Sequence, residues 1–225
     1  MTIPAPAPAP GGDLLPRLLL ALSAVTGLVD AASYLALGHV FTANMTGNVV
    51  LLGFAAAGAS GLSVVRSGAA LAAFVAGAWI GGRMSARLAA GPRHRWVGLA
   101  FGAESALLFA GTAAAQAASG DFAGQPRLLF AVIGSTALAM GLRYSTVVKL
   151  GVPDVNATVL TGTIATLAAG THPRAARGAA SVAWMFVGAA AGTLLIAHSL
   201  VVVLGLAAAI SGACAAVAFF GLPRG

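Results

Sequence analysis

Three ionisable side chains lie deep inside apolar runs of this sequence: Asp30, Glu104 and Arg143. If the residues between them are helical, Asp30 stands ~20 Å from Arg17, well inside a bilayer. A carboxylate at that depth costs a few kcal/mol or more unless it is paired, hydrated or protonated. Proton coupling or ligand binding accounts for such a residue; so does a packing role in which hydroxyls or helix-terminal amides satisfy it. Glu104 lies ~12 Å in from Trp96, and Arg143 ~9 Å in from Lys149. Matched depth predicts a buried ion pair, serving either helix packing or a gating or substrate role.

Around Asp30 the first apolar run carries Ser23, Thr26, Gly27, Ser33 and Tyr34 at three- and four-residue intervals, which places them on one polar stripe of a helix. Two shorter runs contain Thr-Gly near their start, Thr46-Gly47 and Thr161-Gly162, accompanied by Thr42, Asn44 and Asn48 in one and by Asn156, Thr158 and Thr163 in the other. If each enters the membrane as extended chain and returns as a helix beginning near Thr46 or Thr161, unpaired amides and the positive dipole end point toward the midplane. That arrangement favours an anion or a polar neutral solute. The same Asn and Thr residues also suit simple helix capping. The candidate solute site is therefore Asp30, Tyr34, Asn44, Thr46 and Asn48, with Tyr144, Asn156 and Thr161 from the second half.

Other reactive residue types lead nowhere comparable. His39, His94, His172 and His198 are scattered at or near run ends without metal-ligand spacing, and Cys214 is alone inside the last run. Glycine pairs such as Gly81-Gly82 follow no phosphate-loop pattern, and no catalytic signature is present. Neither a metal, a cofactor nor an enzymatic reaction is expected.

The elements that must hold these residues follow from composition. Of 225 residues, 59% are hydrophobic and 8% charged, with a mean hydropathy of +0.95. A soluble chain is roughly half apolar and a quarter charged, so this is an integral membrane protein in a lipid bilayer. The net charge of +7 flanks apolar spans, which reads as membrane anchoring and not as nucleic-acid binding. Residues 1–13, rich in Ala-Pro and ending in Gly11-Gly12-Asp13, are expected to form a disordered tail, with residues 14–225 forming one membrane domain.

Six runs are long enough to cross: Leu14 to Gly38, Ser67 to Leu88, Trp96 to Ala118, Leu128 to Lys149, Gly178 to Ala197 and Leu200 to Phe220. The two Thr-Gly runs, Asn44 to Gly58 and Asn156 to Gly170, are marginal for a full crossing. If all eight cross, the twelve Lys and Arg divide six against six. If only six cross, ten fall on one side, leaving Arg66 and Arg127 opposite. Because basic residues concentrate in cytoplasmic loops, the second arrangement is expected: six transmembrane helices, two re-entrant half-helices and both termini cytoplasmic.

The halves also resemble each other. Gly27-Leu28 through Thr46-Gly47 compares with Gly141-Leu142 through Thr161-Gly162, and Gly77 and Gly81 compare with Gly188 and Gly192 as small-xxx-small pairs. Repeats of about 14–118 and 128–220, each with three crossings, must be inverted relative to one another. Three-plus-three inverted repeats are typical of transporters and channels. The expected function is passage of a small polar or anionic solute, with Asp30 available for proton coupling. The alternative is a structural or regulatory membrane protein, and its glycine-rich faces leave room for a homo-oligomer.

The stretch from Leu28 to Gly53, LVDAASYLALGHVFTANMTGNVVLLG, resembles the opening signature of the YoaK-like family of bacterial membrane proteins, described as a domain of unknown function. Asp30, Asn44, Thr46, Gly47 and Asn48 carry the likeness. The resemblance implies a bacterial inner-membrane protein and supplies no substrate or catalytic residue.

In intact cells, an impermeant thiol reagent added from outside should reach a cysteine introduced beside Arg66 or Arg127 and miss one beside Arg93 or Arg174. Equal labelling beside Arg66 and Arg93 would sink the six-span arrangement.

Overall fold

The structure is a computed structural model, and it describes residues 14–88, 90–151 and 175–222. These residues form seven helices and no strand: α1 (Leu14–Ala36), α2 (Met45–Ala56), α3 (Val64–Leu88), α4 (Arg93–Ala118), α5 (Pro126–Leu150), α6 (Ala175–Ile196) and α7 (Leu200–Gly221). All except α2 are long and apolar enough to cross a membrane. The twelve residues of α2 reach only ~18 Å. The Ala-Pro tail and the second Thr-Gly run, with Asn156 and Thr161, lie outside the described residues.

Local chemistry sets several of the boundaries. The Asn44 side chain accepts a hydrogen bond from the Gly47 amide at 3.2 Å and starts α2, one residue before the position expected from Thr46. Pro126 opens α5, where its missing N–H costs nothing, and Gly151 closes that helix at φ 61°. Ser199 caps α7 by accepting from the Val201 amide at 3.1 Å.

Residue pairs across each interface reveal the helix directions. Ala24 faces Gly188 and Leu28 faces Gly192, so α1 and α6 run parallel. Leu138 faces Gly77 and Leu142 faces Gly81, so α5 and α3 also run parallel. By contrast, Gly98 meets Phe219 while Ser105 donates to the Ala208 carbonyl at 2.8 Å, which makes α4 and α7 antiparallel. Gly111 beside Ser135 and Glu104 beside Arg143 make α4 and α5 antiparallel, and Gly221 beside Leu14 does the same for α7 and α1. Together, α1, α4 and α6 run one way and α3, α5 and α7 the other. Arg17, Arg83, Arg87, Arg93, Arg95, Lys149 and Arg177 consequently gather at one end of the bundle, called the basic end below. Arg66 and Arg127 lie at the other.

Lipid tails are as apolar as leucine, so burial of apolar surface does not drive these helices together; close packing and hydrogen bonds do. Glycine permits the approach. A Cβ on Gly27 would overlap the Met185 carbonyl and lie 2.5 Å from the Ala189 amide, and one on Gly188 would overlap the Ala24 carbonyl. The α3 and α5 crossing repeats this pattern: Gly141 against the Phe74 carbonyl and the Ala78 amide, Gly77 against the Leu138 carbonyl. One constant offset carries Ala24, Gly27, Leu28 and Ala31 onto Leu138, Gly141, Leu142 and Ser145. Another carries Phe74, Gly77, Ala78 and Gly81 onto Met185, Gly188, Ala189 and Gly192. The glycine faces recognised in the sequence are thus occupied within one chain. Large apolar side chains point outward instead, among them Val75, Trp79, Phe186, Leu194 and Phe220, as a lipid-facing surface requires.

Gly141→Ala should destabilise the protein by ~1–3 kcal/mol, because the added methyl group meets main chain that has nowhere to go. Gly134→Ala on the same helix, where a Cβ meets nothing within 4 Å, should be neutral or slightly stabilising. Thermal unfolding of the two variants in one detergent checks this; equal midpoints would contradict the crossing.

Candidate functional site

Two polar centres occupy the interior, joined along α1. The deeper one is built on Arg143. Its Nη1 donates to Glu104 Oε1 at 3.2 Å and to the Leu22 carbonyl at 2.9 Å; its Nη2 donates to Thr26 Oγ1 at 2.6 Å and faces the weak acceptor Met140 Sδ at 2.9 Å. Glu104 Oε1 also accepts from Ser211 Oγ at 2.9 Å, while Glu104 Oε2 is buried and has no hydrogen-bond partner among the described residues. Glu104 is fully buried and Arg143 nearly so. Helices α1, α4, α5 and α7 thereby meet at one guanidinium and one carboxylate. A nearby Ser23–Ser181 hydroxyl pair at 3.0 Å adds α6.

The second centre lies one helical turn further along α1, ~6 Å from Thr26. Asp30 Oδ1 accepts from the Ala43 amide at 2.9 Å and the Asn44 amide at 3.3 Å, which ties the loop between α1 and α2 down onto α1. Asn48 fastens the same loop from the other side, since its Oδ1 accepts from the Phe41 amide at 3.0 Å and its Nδ2 donates to the Phe41 carbonyl. Tyr34 stacks on Phe41, ring centroids 4.9 Å apart, and its ring meets His39 edge-on. Asp30 Oδ2 and Thr42 Oγ1 are both buried without a hydrogen-bond partner among the described residues.

The polar stripe of the sequence divides between these centres. Ser23 and Thr26 serve the first, Asp30 and Tyr34 the second, and Gly27 forms the contact with α6. Asn48 is fully buried, whereas Asn44 and Thr46 expose their side chains at the start of α2. Tyr144 is turned to α3, where its ring packs on Phe74 at 5.8 Å. His94, at the start of α4, is buried against Phe219. Among the described residues no three His, Cys, Asp or Glu side chains gather as metal ligands.

Reading the sequence did not find Ser211 or the Leu22 carbonyl. A serine in the middle of the most apolar span was the available signal for the first; a main-chain carbonyl leaves none.

These features define a multi-pass helical membrane protein whose interior is organised by a buried ion pair and a fastened loop. The chain belongs to the YoaK-like family: residues 18–217 match the family described as "Protein of unknown function (DUF1275)". It is 37% identical over 150 residues to the UPF0700 transmembrane protein YoaK of Bacillus subtilis (strain 168), an alignment covering 67% of this chain and 64% of that protein. No solved structure matches the chain significantly.

Replacing Glu104 by Leu or Arg143 by Met should each cost roughly 3–5 kcal/mol, because the abandoned charge stays buried. The double variant should recover much of that loss. Strictly additive losses in a double-mutant cycle of unfolding free energies would show that the pair contributes no coupling.

Proposed function

We propose that this protein passes a small polar or anionic solute across the bacterial inner membrane, as a transporter or channel built from a three-plus-three inverted repeat, and that it catalyses no reaction. The observation that carries this reading is the equivalence of the two glycine crossings, in which the same offsets relate α1 to α5 and α3 to α6 at every close contact. In this scheme α1, α3 and α4 form one repeat of a single membrane domain and α5, α6 and α7 the other. Corresponding helices run in opposite directions, as inversion demands. Two halves that interlock through each other's first and second spans suit alternating exposure of a site between them.

The opposite directions of α1 and α3 support a re-entrant α2, since one reversal leaves no second crossing for it. Its counterpart would be the run from Asn156 to Gly170. The concentration of Lys and Arg at the basic end supports cytoplasmic termini. The solute preference follows from the start of α2, where Asn44 and Thr46 present polar side chains beside main-chain amides; Asn156 and Thr161 would contribute from the second repeat, while Tyr144 packs on Phe74 of α3. Asp30 is the proposed coupling group, because its second oxygen is buried and has no hydrogen-bond partner among the described residues.

The scaffold reading has its own support. Asp30 and Asn48 already bond to the main chain of the loop, which is what a purely structural role requires.

Uptake of a broad metabolite panel into proteoliposomes under an imposed proton gradient separates the two. Wild type should accumulate at least one solute, and Asp30→Asn should abolish the proton-driven part while leaving the fold intact, since an amide oxygen can still accept from Ala43 and Asn44. Absence of flux in well-folded wild type would favour the scaffold. Flux indifferent to Asp30→Asn would keep the transporter and remove Asp30 from its coupling.

A further inference from the structure

We propose that the groove between α3 and α5 at the basic end binds an anionic phospholipid, with Arg93 and Lys149 holding the phosphate and an acyl chain lying along the groove. Two cavities of about 300 Å³ each share Lys149 in their walls. One lies at the bundle's edge, lined by Gly91, Arg93, Trp96, Lys149 and Leu150. The other runs between the helices, with Ala78, Gly82 and Val148 as apolar wall and Ser85, Tyr144 and Lys149 as polar groups.

The edge cavity has the chemistry of an anion site. Among the described residues its lining carries two cations and no acid, and it adjoins the start of α4, whose cap residue Pro92 offers no side-chain acceptor to the first amides. Trp96 is a residue type favoured where hydrocarbon meets headgroups. The groove supplies an independent observation. Ser85 is 1% exposed, lines the cavity, and its Oγ has no hydrogen-bond partner among the described residues. A hydroxyl left open there suits an ester carbonyl of the ligand. From Ala78 to Ala86 the groove extends ~12 Å along α3, flanked by the exposed Trp79 and Val148. A soluble anion would make no use of this apolar, lipid-facing wall. An amphiphile fills both cavities at once, and basic pockets between membrane helices recognise such headgroups.

The test uses the full chain purified in detergent, with binding followed by native mass spectrometry and by thermal unfolding. The probes are phosphatidylglycerol, phosphatidylcholine, glycerol phosphate and inorganic phosphate. Phosphatidylglycerol should bind and raise the unfolding midpoint, and phosphatidylcholine should do so far less. Arg93→Gln with Lys149→Gln, at two exposed positions, should weaken phosphatidylglycerol binding roughly ten- to thirty-fold without altering the lipid-free midpoint. Val148→Trp should weaken it by obstructing the groove while both cations remain. Equal retention of the two lipids, or binding unchanged in the double Gln variant, would overturn the proposal. Displacement of phosphatidylglycerol by glycerol phosphate or inorganic phosphate at matched concentration would also overturn it, and would assign the cations to a soluble anion.

Discussion

Everything in this bundle must accommodate one guanidinium that is almost wholly buried. Desolvating Arg143 costs far more than any single contact returns, so the group is tolerable only where several acceptors converge on it. Glu104, the Leu22 carbonyl and Thr26 converge, and they come from α4 and from two successive turns of α1. Ser211 then holds the carboxylate from α7. A half-turn shift of α4 or α5 would part the two charges, and one of α1 or α7 would strip neutral hydrogen-bond partners from them, so the node constrains the register of four helices at once. A well-packed apolar set could be as stable. What the polar node adds is a penalty on alternative packings, since any that part Glu104 from Arg143 leave a charge buried alone.

Glycine governs the approach distances around that node. With no hydrophobic force between helices in lipid, contact depends on how closely backbones can meet, and Gly27, Gly77, Gly141 and Gly188 allow main chain to rest on main chain. These crossings join spans from opposite halves of the chain, α1 with α6 and α3 with α5. Neither half can then complete its packing without the other. That interlocking is the property on which the transport reading leans, because relative motion of two such pairs would open a central site to either side in turn.

Among the polar residues that resemble the family signature, Asp30 and Asn48 fasten the loop between α1 and α2. Asp30 and Asn48 satisfy loop amides and a loop carbonyl that would otherwise lack these partners, as buried main-chain groups require. Membership in the YoaK-like family is consistent with either a structural or a functional reason for these residues. Asp30 Oδ2 and Thr42 Oγ1 have no hydrogen-bond partner among the described residues.

Composition and spacing alone determined that the chain lives in a bilayer, that six segments have the length to cross it, and that Asn44 and Thr46 stand where a short helix begins. These are local or additive properties: hydropathy sums over a segment, and a cap acts within one turn. The matched depth of Glu104 and Arg143 was legible for the same reason, since helical rise converts residue number into height. Only the tertiary structure decided who stands beside whom at that height. Nothing in the sequence distinguishes the Leu22 carbonyl from any other, or tells Asp30 that its partners are the amides of Ala43 and Asn44, because main-chain groups carry no side-chain signature. Spacing placed Tyr144 on the helix that bears Arg143 without saying that the two adjacent residues face different neighbours, Arg143 toward α1 and α4 and Tyr144 toward α3. Helical periodicity gives the angle between two side chains on one helix; which helix occupies each direction is settled by packing all of them together.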